Sequence, residues 1–173
     1  MVEEALSPSL YSRPRRQCIA QELAVNSDEC HIVDLNGDLP NIGSPDLLLF
    51  LDVLEHLPNP EKLLRHLTAE LAPGGTVIVS LPNIAHLSVS IPLLVWGRFD
   101  YADAGILDRS HLRFFVRESA VALMNGAGLK VDKIIESSRG RPKSRMLNWL
   151  TFGLLRDRLA AQYILSGSAS NSG

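Results

Sequence analysis

The sequence predicts an α/β fold built on a mostly parallel sheet flanked by helices, and three consecutive segments predict it. Leu47-Leu48-Leu49-Phe50-Leu51 is a continuous apolar run of the kind carried by a parallel strand buried on both faces. Asn59-Pro60-Glu61 then opens a helix, with an N-cap candidate, proline in the first turn, and Leu63, Leu64, Leu67 and Leu71 on one face. Pro73-Gly74-Gly75 stops that helix, and Thr76 to Leu81 follows as a short apolar strand closed by Pro82-Asn83. Strand, helix, strand in this order argues for right-handed βαβ units, with the working loops outside the carboxyl ends of the strands. The Leu47–Leu51 strand is expected at the centre of the sheet.

The remaining elements are read in chain order. Pro14 to Leu23 reads as a helix, so residues 1–29 form a helical arm. Cys30-His31-Ile32-Val33 is a short strand ending at Asp34, and Asn36-Gly37-Asp38 signals a turn. Glu118 to Asn125 is a helix broken by Gly126-Ala127-Gly128, followed by a strand from Lys130 to Glu136. Arg139 to Arg145 is a basic, turn-prone link to the apolar segment Met146 to Leu155, and Ala161 to Leu165 is a last strand. Ser166 to Gly173, almost wholly Ser, Gly, Ala and Asn, is expected to be a disordered tail. Residues 30–165 then make the α/β domain.

Composition narrows the function classes. A chain of 173 residues with 46% hydrophobic and 21% charged residues is long enough for one packed domain. Its net charge of -2 gives no field for a polyanion, and nucleic acid is not an expected partner. Cys18 and Cys30 have neither zinc nor disulfide-framework spacing, which suits a reducing cytoplasm. The acidic start Met1-Val2-Glu3-Glu4 does not read as an export signal. The longest stretch without Asp, Glu, Lys or Arg, Leu71 to Gly97, is interrupted by Pro73, Gly74, Gly75, Pro82, Asn83 and Pro92, so no transmembrane segment is expected there.

The informative window, Asp46 to Asn83, reads DLLLFLDVLEHLPNPEKLLRHLTAELAPGGTVIVSLPN. It resembles the carboxyl-terminal two thirds of the class I S-adenosylmethionine-dependent methyltransferases, which carry an acidic strand end, a D-x-x-E-H-L-x-x-P stretch and L-x-P-G-G before the next strand. GRFDYADAGILDRSHLRFFVRESA is similar to a subgroup with a D-x-x-H-L-R-F-F block, and the likeness spans roughly residues 30 to 136. The resemblance implies a Rossmann-like sheet and S-adenosylmethionine as cofactor. It implies an adenine contact from Asp34 and Leu35, and Leu51, Asp52 and Val53 along the methionine portion and the transferring methyl. For such a displacement the protein mainly positions the reactants and takes a proton from the acceptor, and His56 and His111 are the candidates for that base. A small-molecule, lipid or saccharide acceptor is implied.

The chain departs from the family pattern in one large respect. No glycine occurs before Gly37, so the glycine-rich loop after the family's first strand is not found, and the fold is expected to be truncated at its N-terminal βαβ unit. Two alternatives follow: a chain inactive by itself, or a non-catalytic interaction protein that pairs with itself or another chain through an exposed sheet edge. A further constellation comes from spacing. Asp52, Glu55 and His56 stand at i, i+3 and i+4, on one face if a helical turn begins there, and with His111 they could hold a divalent metal. The pattern resembles the E-x-x-E-H of small-RNA 2′-O-methyltransferases and some ubiquinone-pathway O-methyltransferases. Asp52 replaces the first glutamate with a shorter arm, and a metal is not expected. The structural reading of the later block puts Phe114 and Phe115 in the core, with Arg113 paired to a carboxylate such as Asp108.

Overall fold

The computed structural model describes residues 33–37, 39, 41–137 and 156–169. The chain divides into two compact units, Met1–Asn41 and Ile42–Gly173. The expected N-terminal arm, the strand residues 30–32, the basic link and the apolar segment Met146 to Leu155 lie outside the described residues, as does the end of the expected tail.

The second unit holds a four-stranded sheet formed by β1 (Leu47–Leu51), β2 (Thr76–Pro82), β3 (Leu129–Ser137) and β4 (Gln162–Ala169), in the order β1-β2-β4-β3. Helices α1 (Pro60–Ala69), α2 (Leu87–Trp96), α3 (Arg117–Gly126) and the short α4 (Arg156–Leu159) connect or flank the strands. β1 and β2 are parallel, and β4 is antiparallel to both β2 and β3. Three of the four strands therefore run the same way, as the βαβ reading requires, and β4 is inserted against them. The Rossmann-like α/β class stands, with a sheet that is mixed rather than mostly parallel in its pairings.

Strand alternation sorts the sheet into two faces. On one, Phe50, Val77, Val79, Leu81, Tyr163 and Leu165 are buried. That face carries α3, which packs on β3 and β4, and α1 packs against α3. α1 begins as expected, with Pro60 at its first position, although Asn59 makes no side-chain cap; it buries Leu63, Leu64 and Thr68. On the other face Leu47, Leu49 and Leu51 are each about half exposed, at 49, 53 and 56%.

Two sequence expectations are corrected here. β1 is an edge strand of the described sheet, not a central one; its unbroken leucine run reflects one packed face and one open face. The last strand continues through Ala169, four residues into the expected tail. A Cβ on Gly167 would lie 2.8 Å from the Lys130 carbonyl oxygen and 3.0 Å from Met124 Cε. The small residues there answer to crowding between a neighbouring strand and α3, not to disorder. Leu87–Trp96, to which the sequence assigned no element, is a helix across Pro92, which removes one intrahelical donor without ending it.

Candidate active site at the carboxyl ends of the strands

The carboxyl end of β1 is held in an unusual backbone conformation. Asp52 has φ 54°, the left-handed region that Asp tolerates better than most residues. One hydroxyl secures it: Ser80 Oγ of β2 accepts from the Asp52 N–H (3.0 Å) and donates to Asp52 Oδ1 (2.9 Å). Gln162 Nε2, at the start of β4, donates to the same carboxylate oxygen at 2.6 Å and to Ser80 Oγ at 3.1 Å. The ends of β1, β2 and β4 are thus tied at one point.

Immediately after this turn, Leu54–His56 forms a single 3-10 turn that buries Leu54 and Glu55. The Glu55 carbonyl accepts from the N–H groups of Leu112 and Arg113, which lays the 111–113 segment beside the turn. His56 and His111 meet edge to face with ring centroids 4.8 Å apart. His56 Nδ1 lies 3.2 Å from the Ser110 carbonyl, and His111 Nδ1 lies 3.0 Å from the Ile106 carbonyl. A carbonyl oxygen only accepts, so both Nδ1 atoms carry a proton, and the neutral form of each ring has its lone pair on Nε2.

Glu55 completes the cluster. Its side chain is 1% exposed, Oε1 stands 4.0 Å from His111 Nε2, and Oε2 is buried without a hydrogen-bond partner. Burial pushes its carboxyl up to about 7, with the nearby Asp52 charge adding to the rise against a lowering backbone hydrogen bond. One ligand atom from each of Glu55, His56 and His111 lies within 4.8 Å of the others. Asp108, next along this loop, is held below the ordinary aspartate range chiefly by the hydroxyl and N–H of Ser110.

The sequence-predicted residues separate into groups. His56 and His111 come together, and Glu55 joins them. Asp52 does not join, because its left-handed backbone takes it out of the helical turn that the i, i+3, i+4 spacing assumed, and its carboxylate is bound to Ser80 and Gln162. Leu51 ends β1 with its side chain open, and Val53 is half-buried at the entry to the 3-10 turn. Asp34 belongs to the first unit, where Oδ1 accepts from the backbone and side-chain nitrogens of Asn36. Arg113 pairs with the Pro58 carbonyl rather than with Asp108. Phe115 is in the core, while Phe114 is half-buried in an aromatic group with Phe99 and Tyr101.

Ser80, Gln162 and Asn83 were missed from sequence. Ser80 carried a signal, a hydroxyl in the interior of an apolar strand. Gln162 carried none, since its role depends on β4 being inserted beside β2. Asn83 is fully buried: Nδ2 donates to the carbonyls of Asp157 (2.6 Å) and Ala160 (2.8 Å), and Oδ1 accepts from the Ala85 N–H (3.0 Å).

A family described as a methyltransferase domain matches residues 5–134. The chain belongs to this family. Among curated relatives, this methyltransferase domain is 26% identical over 133 residues to the ubiquinone biosynthesis O-methyltransferase of Xanthomonas campestris pv. campestris, covering 72% of the chain and 54% of the relative. The chain spans about half the length of the curated relatives it matches. Among solved structures, an S-adenosylmethionine-dependent methyltransferase from Mesorhizobium loti superposes with a TM-score of 0.54 at 13% identity, over 87% of this chain and 75% of that one. The magnesium protoporphyrin IX methyltransferase of Synechocystis, solved with bound SAH, gives 0.53 at 16% identity over 91% and 59%. These likenesses establish a shared fold.

Proposed function

We propose that this methyltransferase domain serves transfer of a methyl group from S-adenosylmethionine to a hydroxyl of a small-molecule, lipid or saccharide acceptor. The observation that carries the reading is the cluster of buried Glu55 and His111 side chains with half-buried His56 beside the carboxyl ends of β1 and β2, in a chain of this family. S-adenosylmethionine, when bound, supplies a methyl on a positively charged sulfur. The residues fit its methionine end: Leu51 offers an open apolar side chain at the strand terminus, and Ser80 and Gln162 hold the Asp52 turn that leads into Val53. In the first unit Leu35 is half-buried and Asp34 keeps Oδ2 outside its bonds to Asn36, which suits an adenine amino donor.

In this reading the Nε2 lone pair of His56 or His111 accepts the acceptor hydroxyl's proton as its oxygen takes the methyl. The carbonyls of Ser110 and Ile106 fix each ring's tautomer and orientation, and Glu55 beside His111 stabilises the imidazolium that forms. Calorimetric titration with S-adenosylmethionine tests the reading. Saturable heat is expected, and the absence of heat at millimolar cofactor ends the catalytic reading for this chain.

A second reading is favoured by the unpartnered Glu55 Oε2. Two imidazole Nε2 atoms and a carboxylate form a donor set for a divalent cation, with both Nδ1–H groups anchored on carbonyls as second-sphere partners of metal-bound histidines are. The three donor atoms lie within 4.8 Å of one another, and a zinc ion held by them would supply Lewis acidity. Zinc titration would give one equivalent bound, and equal binding by H56A and H111A proteins removes this reading.

We also propose a cytoplasmic location, supported by Cys18 and Cys30, whose spacing is neither that of a disulfide framework nor that of a zinc site. The non-catalytic alternative is less favoured by the family match. The edge position of β1 in the described sheet supports pairing with a second copy, which sedimentation velocity tests; a monomer at high concentration argues against it.

A further inference from the structure

Helix α2 is out of place on a water-soluble surface. Its ten residues, Leu87–Trp96, contain no charged side chain, and Val89 alone is buried. Beyond it the helix leaves the body of the unit: Ile91 is 43% exposed, Leu93 48%, Leu94 86%, Val95 61% and Trp96 65%. Four consecutive helical residues point to nearly all directions around the axis. This end is therefore apolar on every side, whereas a helix docking in a protein groove needs only one apolar stripe.

We propose that α2 is a membrane-surface anchor that inserts into the headgroup and acyl boundary of a zwitterionic phospholipid bilayer. A fluid apolar phase surrounds a projecting helix end without needing a matched shape. The exposed stretch Ile91–Trp96 is about 9 Å long, far too short to cross, and suits a short helix end lying at the interface. No described helix is long and apolar enough to cross a membrane. The helix ends in Trp96 and is followed by Arg98, side chains that settle at the lipid and water boundary. Its carboxyl end enters this medium partly satisfied, because the N–H groups of Gly97 and Arg98 bond the carbonyls of Leu93 and Pro92.

Charge decides the kind of surface. Arg98 pairs with Asp100 at 3.0 Å, and Arg109 pairs with Asp103 at 3.1 Å, so the flanking loop presents no net positive field to anionic lipid. The anchor acts through apolar insertion and does not depend on the methyl-transfer reading.

The test uses the full chain with vesicles of pure phosphatidylcholine, in a Trp149→Phe background so that Trp96 alone reports. Binding is expected as co-flotation, a blue shift of Trp96 emission, and quenching by lipids brominated on the acyl chain. Leu94→Asp, at the most exposed position, is expected to lower the partition coefficient at least tenfold with an unchanged thermal melt. Val95→Lys provides a second variant if that melt changes. Emission unaltered at millimolar lipid, equal partition of both variants, binding only with anionic lipid, or a dimer that hides Trp96 and persists with vesicles would each overturn the proposal.

Discussion

At the scale of single residues, Glu55 carries the clearest pH dependence. Its folded carboxyl titrates near 7 against 4.5 for the ordinary group, so the unfolded chain releases this proton first as pH rises. Folded stability from this group is whole below pH 4.5 and falls as pH climbs to about 7, by a total on the order of 3 kcal/mol. With a chelator present, Glu55→Gln is expected to match the parent at pH 4.5 and exceed it at pH 8 in urea denaturation. Parallel pH profiles for the two proteins would sink this account. Any cation at the site must displace the same proton, so zinc affinity is expected to fall as pH drops below about 7. His86 works in the opposite sense. Burial lowers its basicity, and Nδ1 accepts from the Ser88 N–H at the start of α2. The cap is whole at neutral pH and is lost in acid, once the ring takes up a proton on Nδ1.

Among the elements, β4 and the loop after β2 concentrate the structural risk. Gly167→Ala places a methyl against the Lys130 carbonyl and Met124, which should cost roughly 1–3 kcal/mol and lower the melting temperature by several degrees. An unchanged melt would mean that α3 does not approach β4 this closely. Asn83→Ala leaves the Ala160 carbonyl and the Ala85 N–H without their partner, while the Asp157 carbonyl keeps the Tyr163 hydroxyl, at a cost of roughly 2–4 kcal/mol. That loss should appear as a lower urea midpoint with an unchanged slope. The sequence signals for these two elements differ. Pro82-Asn83 was legible as the end of a strand, because proline cannot continue an interior ladder. The end of β4 was not, because Ser166 to Ala169 has the composition of a linker and only its neighbours explain its small residues.

For the whole molecule, the edge of the described sheet and the exposed face of β1 set the association behaviour. Replacing Leu49, which is 53% exposed, with Lys should leave the melt within about 0.5 kcal/mol of the parent. Any concentration-dependent dimer through that strand should be lost, as read by sedimentation velocity. A dimer unaffected by Leu49→Lys would place the contact elsewhere. The sequence by itself determined the strand, helix, strand alternation from β1 to β2, the start of α1, α3 with the strand after it, and the motif order shared with the methyltransferase-domain family. Each of these follows from local periodicity, from turn residues, or from a linear pattern. The tertiary structure alone decided that β1 lies at an edge of the described sheet, that β4 runs between β2 and β3, and that Asp52 leaves the cluster which Glu55 enters. Burial patterns constrain which face of a strand is covered but not which strand lies beside it. Residues 55 and 111 meet only because the Glu55 carbonyl pairs with the backbone of a loop more than fifty positions away.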